Sequence, residues 1–113
     1  MMYIDITPEA LSDIQIRKAY LTESFGEGKA KQIIKSVMDN IEKLALFPNT
    51  GIDILERWGV ESDYRCLIIR RNYVFYREEG NAIKIIRVLD ERQNFMKILF
   101  GVSGISDDEY WDD

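Results

Sequence analysis

The sequence predicts an α+β fold: a mostly antiparallel twisted sheet with an α-helical hairpin on one face and a short C-terminal helix. Residues 64–89 hold three β-rich runs separated by turn-forming residues. Residues 8–46 carry two helical patterns joined by a glycine-containing link. Residues 2–7 alternate apolar and polar side chains, as a strand does, and we expect this N-terminal strand to join the sheet. The length of 113 residues favours one domain, which we assign to residues 1–105.

The first helix is predicted from its N-terminal signals. Thr7 is a good N-cap residue, and Pro8 fits the first helical turn. Glu9 lies where the positive end of the helix dipole favours an acid. We therefore expect a helix over about Pro8–Ser24, followed by a break at Phe25–Gly28.

The second helix is predicted over about Gly28–Leu46, where apolar residues recur at the spacing of one helix face. These residues are Ala30, Ile33, Ile34, Val37, Ile41, Leu44 and Ala45. Two long helices with a short link form an antiparallel hairpin, and its apolar side needs a sheet to pack against. Residues 52–63 are expected to form a connecting loop anchored by Leu55 and Trp58.

The β-rich runs predict an antiparallel meander, because the links between them are short enough for tight hairpins. The runs are Arg65–Arg70, Tyr73–Arg77 and Ile83–Leu89. In the last run we expect Ile85 and Leu89 to point opposite to Ile86 and Val88, so that the strand is apolar on both faces and central. The helical pattern over residues 90–100 could cover the second face.

The composition excludes several kinds of chemistry. The chain has no histidine and one cysteine, Cys66, so catalytic triads with histidine and cysteine-based metal clusters are absent. We expect no metal and no cofactor. No apolar stretch is long enough for a transmembrane helix, and the N-terminus lacks the features of a signal peptide. We therefore expect a cytoplasmic protein that does not bind a membrane.

The net charge of −5 is concentrated at the C-terminus. Residues 106–113 hold five acidic residues and no basic one, and this segment is expected to be a flexible tail. Without it, 15 basic residues balance 15 acidic ones. One interpretation is that this tail is disordered and has no binding role. The alternative is that Tyr110 and Trp111, amid acids, dock on the arginine-bearing face of the sheet.

Several short motifs follow one another in a characteristic order. They are Thr7-Pro8-Glu9-Ala10, Leu44-Ala45-Leu46-Phe47-Pro48 with Gly51, Tyr64-Arg65-Cys66-Leu67, Asn72-Tyr73-Val74-Phe75-Tyr76-Arg77, and Ile85-Ile86-Arg87-Val88-Leu89-Asp90-Glu91-Arg92. In this order and spacing the chain resembles the RelE/ParE superfamily of type II toxin–antitoxin toxins over about residues 3–100. The resemblance implies a cognate antitoxin, whose disordered segment folds onto the toxin and blocks it.

The resemblance also implies candidate site residues. Arg65 and Arg87 occupy positions that often carry arginine near the site, and Asp90 stands where many members have histidine. These three are the predicted catalytic residues. The predicted substrate-binding residues are Arg92, Arg70, Arg71 and Tyr73.

The chemistry behind this choice is RNA cleavage, which needs a base, an acid and cations for the phosphorane charge. Arginine suits the third role. Asp90 could be the base only if its pKa were raised, and neighbouring arginines would lower it. Alternatively, Arg65 and Arg87 form ion pairs with Asp63, Asp90 or Glu91, and the tyrosines pack in the core.

Three hypotheses follow from the resemblance. RelE-like members cleave mRNA on the ribosome, which is the main prediction for this chain. ParE-like members poison DNA gyrase without catalysis, which is the alternative. A third possibility is a module of the same fold that only binds an antitoxin.

Overall fold

The computed structural model describes residues 1–101, so the predicted acidic tail at 106–113 lies outside the described residues. The strands are β1 (Tyr3–Ile6), β2 (Ile52–Asp53), β3 (Arg65–Ile69), β4 (Asn72–Glu79) and β5 (Ala82–Asp90). The helices are α1 (Pro8–Phe25), α2 (Glu27–Lys43), α3 (Ile54–Trp58) and α4 (Phe95–Phe100). Among residues 1–101, no helix combines the length and the apolar character needed to cross a membrane.

The sheet has the strand order β1-β5-β4-β3-β2. Strands β3, β4 and β5 form the predicted antiparallel meander. Strand β1 joins it as predicted but runs parallel to β5, which makes the sheet mixed. Strand β2 and helix α3 lie within residues 52–63, where the sequence predicted only a connecting loop. Two paired residues and a five-residue helix are too short to leave a periodic pattern.

The helical hairpin covers one face of the sheet, as predicted. Ala10 and Ile14 of α1 pack with Val37 and Ile41 of α2 against apolar residues of the three meander strands. The start of α1 follows its sequence signals, because the Thr7 hydroxyl accepts a hydrogen bond from the Ala10 amide at 3.1 Å. Helix α2 ends earlier than predicted, at Lys43, and residues 44–46 form a turn instead.

The second face carries an aromatic cluster under α3 and α4, which confirms the predicted cover from the C-terminal segment. Phe75 and Leu89 of the sheet are fully or nearly fully buried there. Ile54 is the buried anchor of α3, whereas the predicted anchor Leu55 is 45% exposed. Trp58 does pack on this cluster, with its ring centroid 5.1 Å from that of Phe95.

A β-bulge in β5 changes which side chains share a face. Phe75 is paired with Arg87 and the next residue of β4 with Ile85, so Ile86 is the extra residue. As a result, Ile85 and Val88 both pack under the helical hairpin, whereas Ile86 and Leu89 contact the aromatic cluster. The predicted grouping of these side chains was therefore wrong. Bulges commonly re-aim side chains, and here Arg87 reaches α1.

Candidate functional site

A cleft of about 380 Å³ lies between α1 and the C-terminal end of β5. We call it the α1–β5 cleft, and it is lined by Asp13, Ile16, Arg17, Tyr20, Arg87, Val88, Asp90, Arg92 and Gln93. Three arginines and two carboxylates therefore converge on one concave surface. They come together because α1 packs on the face of the sheet and pairs its polar side chains with residues at the C-terminal end of β5.

Arg87 is fixed in the cleft by Asp13. Its Nε and Nη2 donate to the two carboxylate oxygens of Asp13 at 2.6 and 2.9 Å. The same carboxylate accepts a hydrogen bond from the Val88 amide at 2.9 Å, so it joins α1 to the bulged part of β5. The hydrogen bond to Asp13 raises the pKa of Arg87 above its ordinary value. Arg87 is thus a charged side chain whose bidentate edge is already occupied.

Asp90 is the last residue of β5 rather than a residue beyond it, and two arginines hold it. Arg92 donates from its side chain at 3.1 and 3.2 Å and from its amide at 2.8 Å. Arg17 donates from the other side at 2.6 Å. The hydrogen bond from the Arg92 side chain is the main cause that lowers the pKa of Asp90 below its ordinary value, and the charge of Arg17 lowers it further. Asp90 therefore stays ionised near neutral pH.

Tyr20 lies beside both arginines that hold Asp90. The guanidinium carbons of Arg17 and Arg92 are 5.3 and 5.6 Å from the centre of its ring. Nη2 of Arg92 also donates to the Tyr20 hydroxyl at 3.5 Å, and this contact lowers the pKa of the phenol. The aromatic ring and the two guanidinium groups form the polar wall of the cleft.

A buried asparagine connects the cleft to the β3–β4 turn. Asn72 is fully buried, and its Oδ1 accepts a hydrogen bond from Nε of Arg17 at 2.8 Å. Its amide nitrogen donates to the carbonyls of Ile69 and Arg70, each at 3.1 Å. Arg17 therefore holds Asp90 with one end of its guanidinium and the turn with the other.

The structure brings together three of the seven predicted site residues, Arg87, Asp90 and Arg92. Arg70 and Arg71 form the turn at the same end of the sheet, and their side chains are exposed. Tyr73 lies in the aromatic cluster on the opposite face, near Phe75 and Phe95, which agrees with the core-packing interpretation.

Arg65 lies outside the cleft, at the other end of the meander. Its Nη1 donates to the carbonyl of Gly51 at 2.8 Å. Tyr76 is at the same junction, where its hydroxyl donates to the Pro48 carbonyl at 2.7 Å and accepts from the Gly51 amide at 2.8 Å. These bonds tie the end of the helical hairpin to β3 and β4. The alternative ion pairs of Arg65 and Arg87 with Asp63, Asp90 or Glu91 do not form: Arg65 bonds a backbone carbonyl, and Arg87 pairs with Asp13.

Sequence reasoning missed Asp13, Arg17 and Tyr20, the three cleft residues of α1. Asp13 and Arg17 are spaced i, i+4, which normally indicates a pair on the helix surface. In the structure each instead pairs with a residue of β5 more than 70 positions away. A signal within α1 was its weak segregation of apolar and polar residues, which marks a helix with contacts on more than one side.

The mixed five-stranded sheet with a helical hairpin on one face is consistent with the fold that the resemblance to the RelE/ParE superfamily implied. A family model described as the ParE toxin of the type II toxin–antitoxin system parDE matches residues 4–95. The chain therefore belongs to the ParE toxin family. One similar solved structure is described as a chromosomal ParDE toxin–antitoxin system from P. aeruginosa, with a TM-score of 0.68 and 20% identity. The match covers 80% of this chain and 96% of that one. A search of curated protein sequences found no significant match.

Proposed function

We propose that this chain is the toxin of a type II toxin–antitoxin pair and that it acts by binding DNA gyrase rather than by cleaving RNA. Membership of the ParE family supports the first part. The observation that argues against RNA cleavage is the clamp on Asp90 by Arg17 and Arg92, and the choice of gyrase rests on the resemblance to ParE-like toxins.

Cleavage of RNA needs a group that accepts the proton of the 2′-hydroxyl near neutral pH. A carboxylate becomes an effective base when its pKa is raised, whereas the pKa of Asp90 is lowered. Both of its oxygens already accept hydrogen bonds from arginine. Arg87 is similarly engaged by Asp13, and Arg65 lies at the other end of the meander. This arrangement suits a rigid recognition surface better than a catalytic site.

The antitoxin is proposed to cover the exposed apolar residues of α1. Ile16 is 67% exposed and Tyr20 is 44% exposed, and they are one helical turn apart beside the α1–β5 cleft. Large apolar side chains in such positions favour a partner that buries them. An antitoxin segment bound there would also close the cleft and block the target.

The decisive experiment measures gyrase and mRNA side by side after the chain is induced without an antitoxin. We expect stalled gyrase–DNA cleavage complexes and an SOS response, with translated mRNA left intact in primer-extension assays. Purified chain should likewise trap cleavage complexes when added to gyrase, supercoiled DNA and ATP.

Two other outcomes would overturn the proposal in different ways. Cuts within codons of translated mRNA, with normal supercoiling, would restore ribosome-dependent cleavage as the function. Growth without any defect would indicate a module that only binds the antitoxin.

A further inference from the structure

The turn between β3 and β4 is built from residues that do not suit it. Arg70 and Arg71 have φ values of 47° and 69°, in the left-handed region. Two-residue hairpin turns with positive φ at both positions favour asparagine and glycine, because other side chains crowd the backbone there. Arginine has no conformational advantage at either position. Backbone strain at such exposed residues motivates a functional explanation.

Hydrogen bonds from Asn72 and Glu91 hold this turn in place. The buried Asn72 side chain bonds the carbonyls of Ile69 and Arg70, and the Glu91 amide donates to the Arg71 carbonyl at 2.9 Å. Asn72 is in turn fixed by Arg17. The turn is therefore rigidly connected to the α1–β5 cleft. As a result, the backbone positions of Arg70 and Arg71 are fixed relative to the cleft.

The exposed charge around the turn is positive. The side chain of Arg71 is 79% exposed, and that of Arg92, on the loop after β5, is 69% exposed. Asp90 holds Nε and Nη2 of Arg92, so Nη1 is the nitrogen that Arg92 would present to a phosphate. Arg71 makes a loose 3.5 Å ion pair with Glu91, the residue next to Arg92, so the turn and the loop are neighbours. Counting Arg17, Arg70, Arg71 and Arg92 against Asp90 and Glu91 leaves two positive charges at this end of the sheet. An exposed pair such as Arg71 with Glu91 is weak enough to open for a stronger acceptor.

We propose that Arg70, Arg71 and Arg92 form a binding site for the phosphodiester backbone of DNA. The guanidinium fork matches phosphate oxygens and keeps its charge at any relevant pH. Contacts of this kind position a protein on nucleic acid without reading its sequence. The choice of DNA rests on the proposed function, in which the target is gyrase with DNA bound. RNA offers the same phosphate chemistry, and the experiment separates the two.

The test uses the full chain and two double variants of equal net charge. Arg70→Asn with Arg71→Gly removes two arginines and gives the turn residues that suit its backbone. Lys31→Gln with Lys35→Gln removes two exposed positive charges from α2 and serves as the control. Binding is measured by fluorescence anisotropy with a labelled DNA duplex and a labelled single-stranded RNA, across a series of salt concentrations, alongside the melting temperature of each protein.

We expect the turn variant to melt at a higher temperature than the wild type while its Kd for DNA rises about tenfold at low salt. The slope of log K against log salt concentration should fall by about 2, one for each lost phosphate contact. The lysine variant should keep the wild-type affinity and slope. A rise in thermal stability together with a loss of binding is the result that a folding defect cannot produce.

The proposal is overturned if the turn variant binds DNA as tightly as the wild type, or if the wild type binds neither nucleic acid at low salt. A clear preference for RNA overturns the assignment to DNA. An assay of the turn variant on gyrase separates the proposed gyrase target from the proposed DNA-binding site. If the variant poisons gyrase as fully as the wild type, the DNA-binding site is overturned and gyrase remains the target. No poisoning by the wild type overturns the gyrase target, and the binding measurement still decides the phosphate site.

Discussion

At the scale of single residues, the charged groups of the α1–β5 cleft pair with one another. Asp13 holds Arg87, Asp90 holds Arg17 and one edge of Arg92, and Asn72 joins Arg17 to the turn. Such a network rigidifies the end of the sheet, because every buried side-chain nitrogen and oxygen of residues 1–101 has a hydrogen-bond partner. The exposed arginines Arg71 and Arg92 are then the ones best placed to meet a partner.

Asp90→Asn is expected to destabilise the protein at neutral pH by about 1.5–3 kcal/mol, since charged hydrogen bonds to Arg92 and Arg17 are lost. The pKa of Asp90 is lowered by folding, so its contribution is fully present above the ordinary value of about 3.9 and is lost as pH falls through the depressed pKa. Urea unfolding at neutral and acidic pH checks this. The gap between wild type and variant should shrink in acid.

The matched control is Asp5→Asn, which changes an exposed carboxylate on β1. It should leave the free energy of unfolding nearly unchanged at either pH. An Asp90→Asn variant as stable as the wild type at neutral pH would show that the clamp contributes no net stability.

Gly51→Ala is expected to lower the free energy of unfolding by about 1–3 kcal/mol, the cost of overpacking a filled site. A Cβ on Gly51 would lie 2.7 Å from the Tyr76 hydroxyl and 3.1 Å from the Cys66 carbonyl. Gly28 is the control, because a Cβ there meets nothing within 4 Å and it lies in a helix. Gly28→Ala should be neutral or stabilising by up to about 1 kcal/mol. Thermal melting of both variants tests the contrast, and equal melting temperatures would contradict it.

At the scale of elements, α1 has two tasks. Ala10, Ile14 and Leu21 bury one side of the helix in the fold, while Ile16 and Tyr20 remain exposed beside the cleft. This division explains why its apolar residues do not form one stripe as those of α2 do. The exposed pair is the proposed contact for the antitoxin.

Ile16→Lys is therefore expected to weaken binding of the cognate antitoxin by tenfold or more, about 1.4 kcal/mol, while the melting temperature of the free toxin stays the same. Isothermal titration calorimetry measures the affinity. Leu55→Lys is the matched control, because Leu55 is a 45% exposed apolar residue on α3, which packs on the other face of the sheet. Equal losses for both variants would place the antitoxin elsewhere or over both faces.

The long elements could be predicted from sequence because their periodic patterns extend over many residues. Both helices of the hairpin and all three strands of the meander were found within a few residues of their ends. The bulge at Ile86 could not be predicted, since one inserted residue leaves no pattern, yet it changes the face of every later side chain in β5. The same limit applies to the cleft. Its ion pairs join α1 to β5 across 73 and 74 positions of the chain, and only the tertiary fold brings them together.

At the scale of the whole molecule, the net negative charge of the chain opposes the proposed binding of DNA. The end of the sheet near Arg71 is locally positive, whereas the chain has a net charge of −5, all of it from residues 106–113. Repulsion between that segment and a polyanion should therefore oppose binding at long range.

Deleting residues 106–113 removes five acidic residues and no basic one, so the net charge rises from −5 to 0. We expect the Kd for the DNA duplex to fall by roughly threefold or more near 0.01 M salt, where the Debye length is about 30 Å. The effect should diminish at about 0.15 M salt, where that length is about 8 Å. Fluorescence anisotropy at both salt concentrations measures it.

A second variant identifies the cause by replacing the five acids with their amides, which keeps the length of the segment together with Tyr110 and Trp111. Matching affinities for the deletion and the amide variant would assign the effect to charge alone. Tighter binding by the deletion only would instead indicate that Tyr110 and Trp111 compete for the arginine surface. Equal affinity of the full-length and shortened chains at low salt would contradict the electrostatic argument, because removing five negative charges should weaken the repulsion of a polyanion where salt screens least.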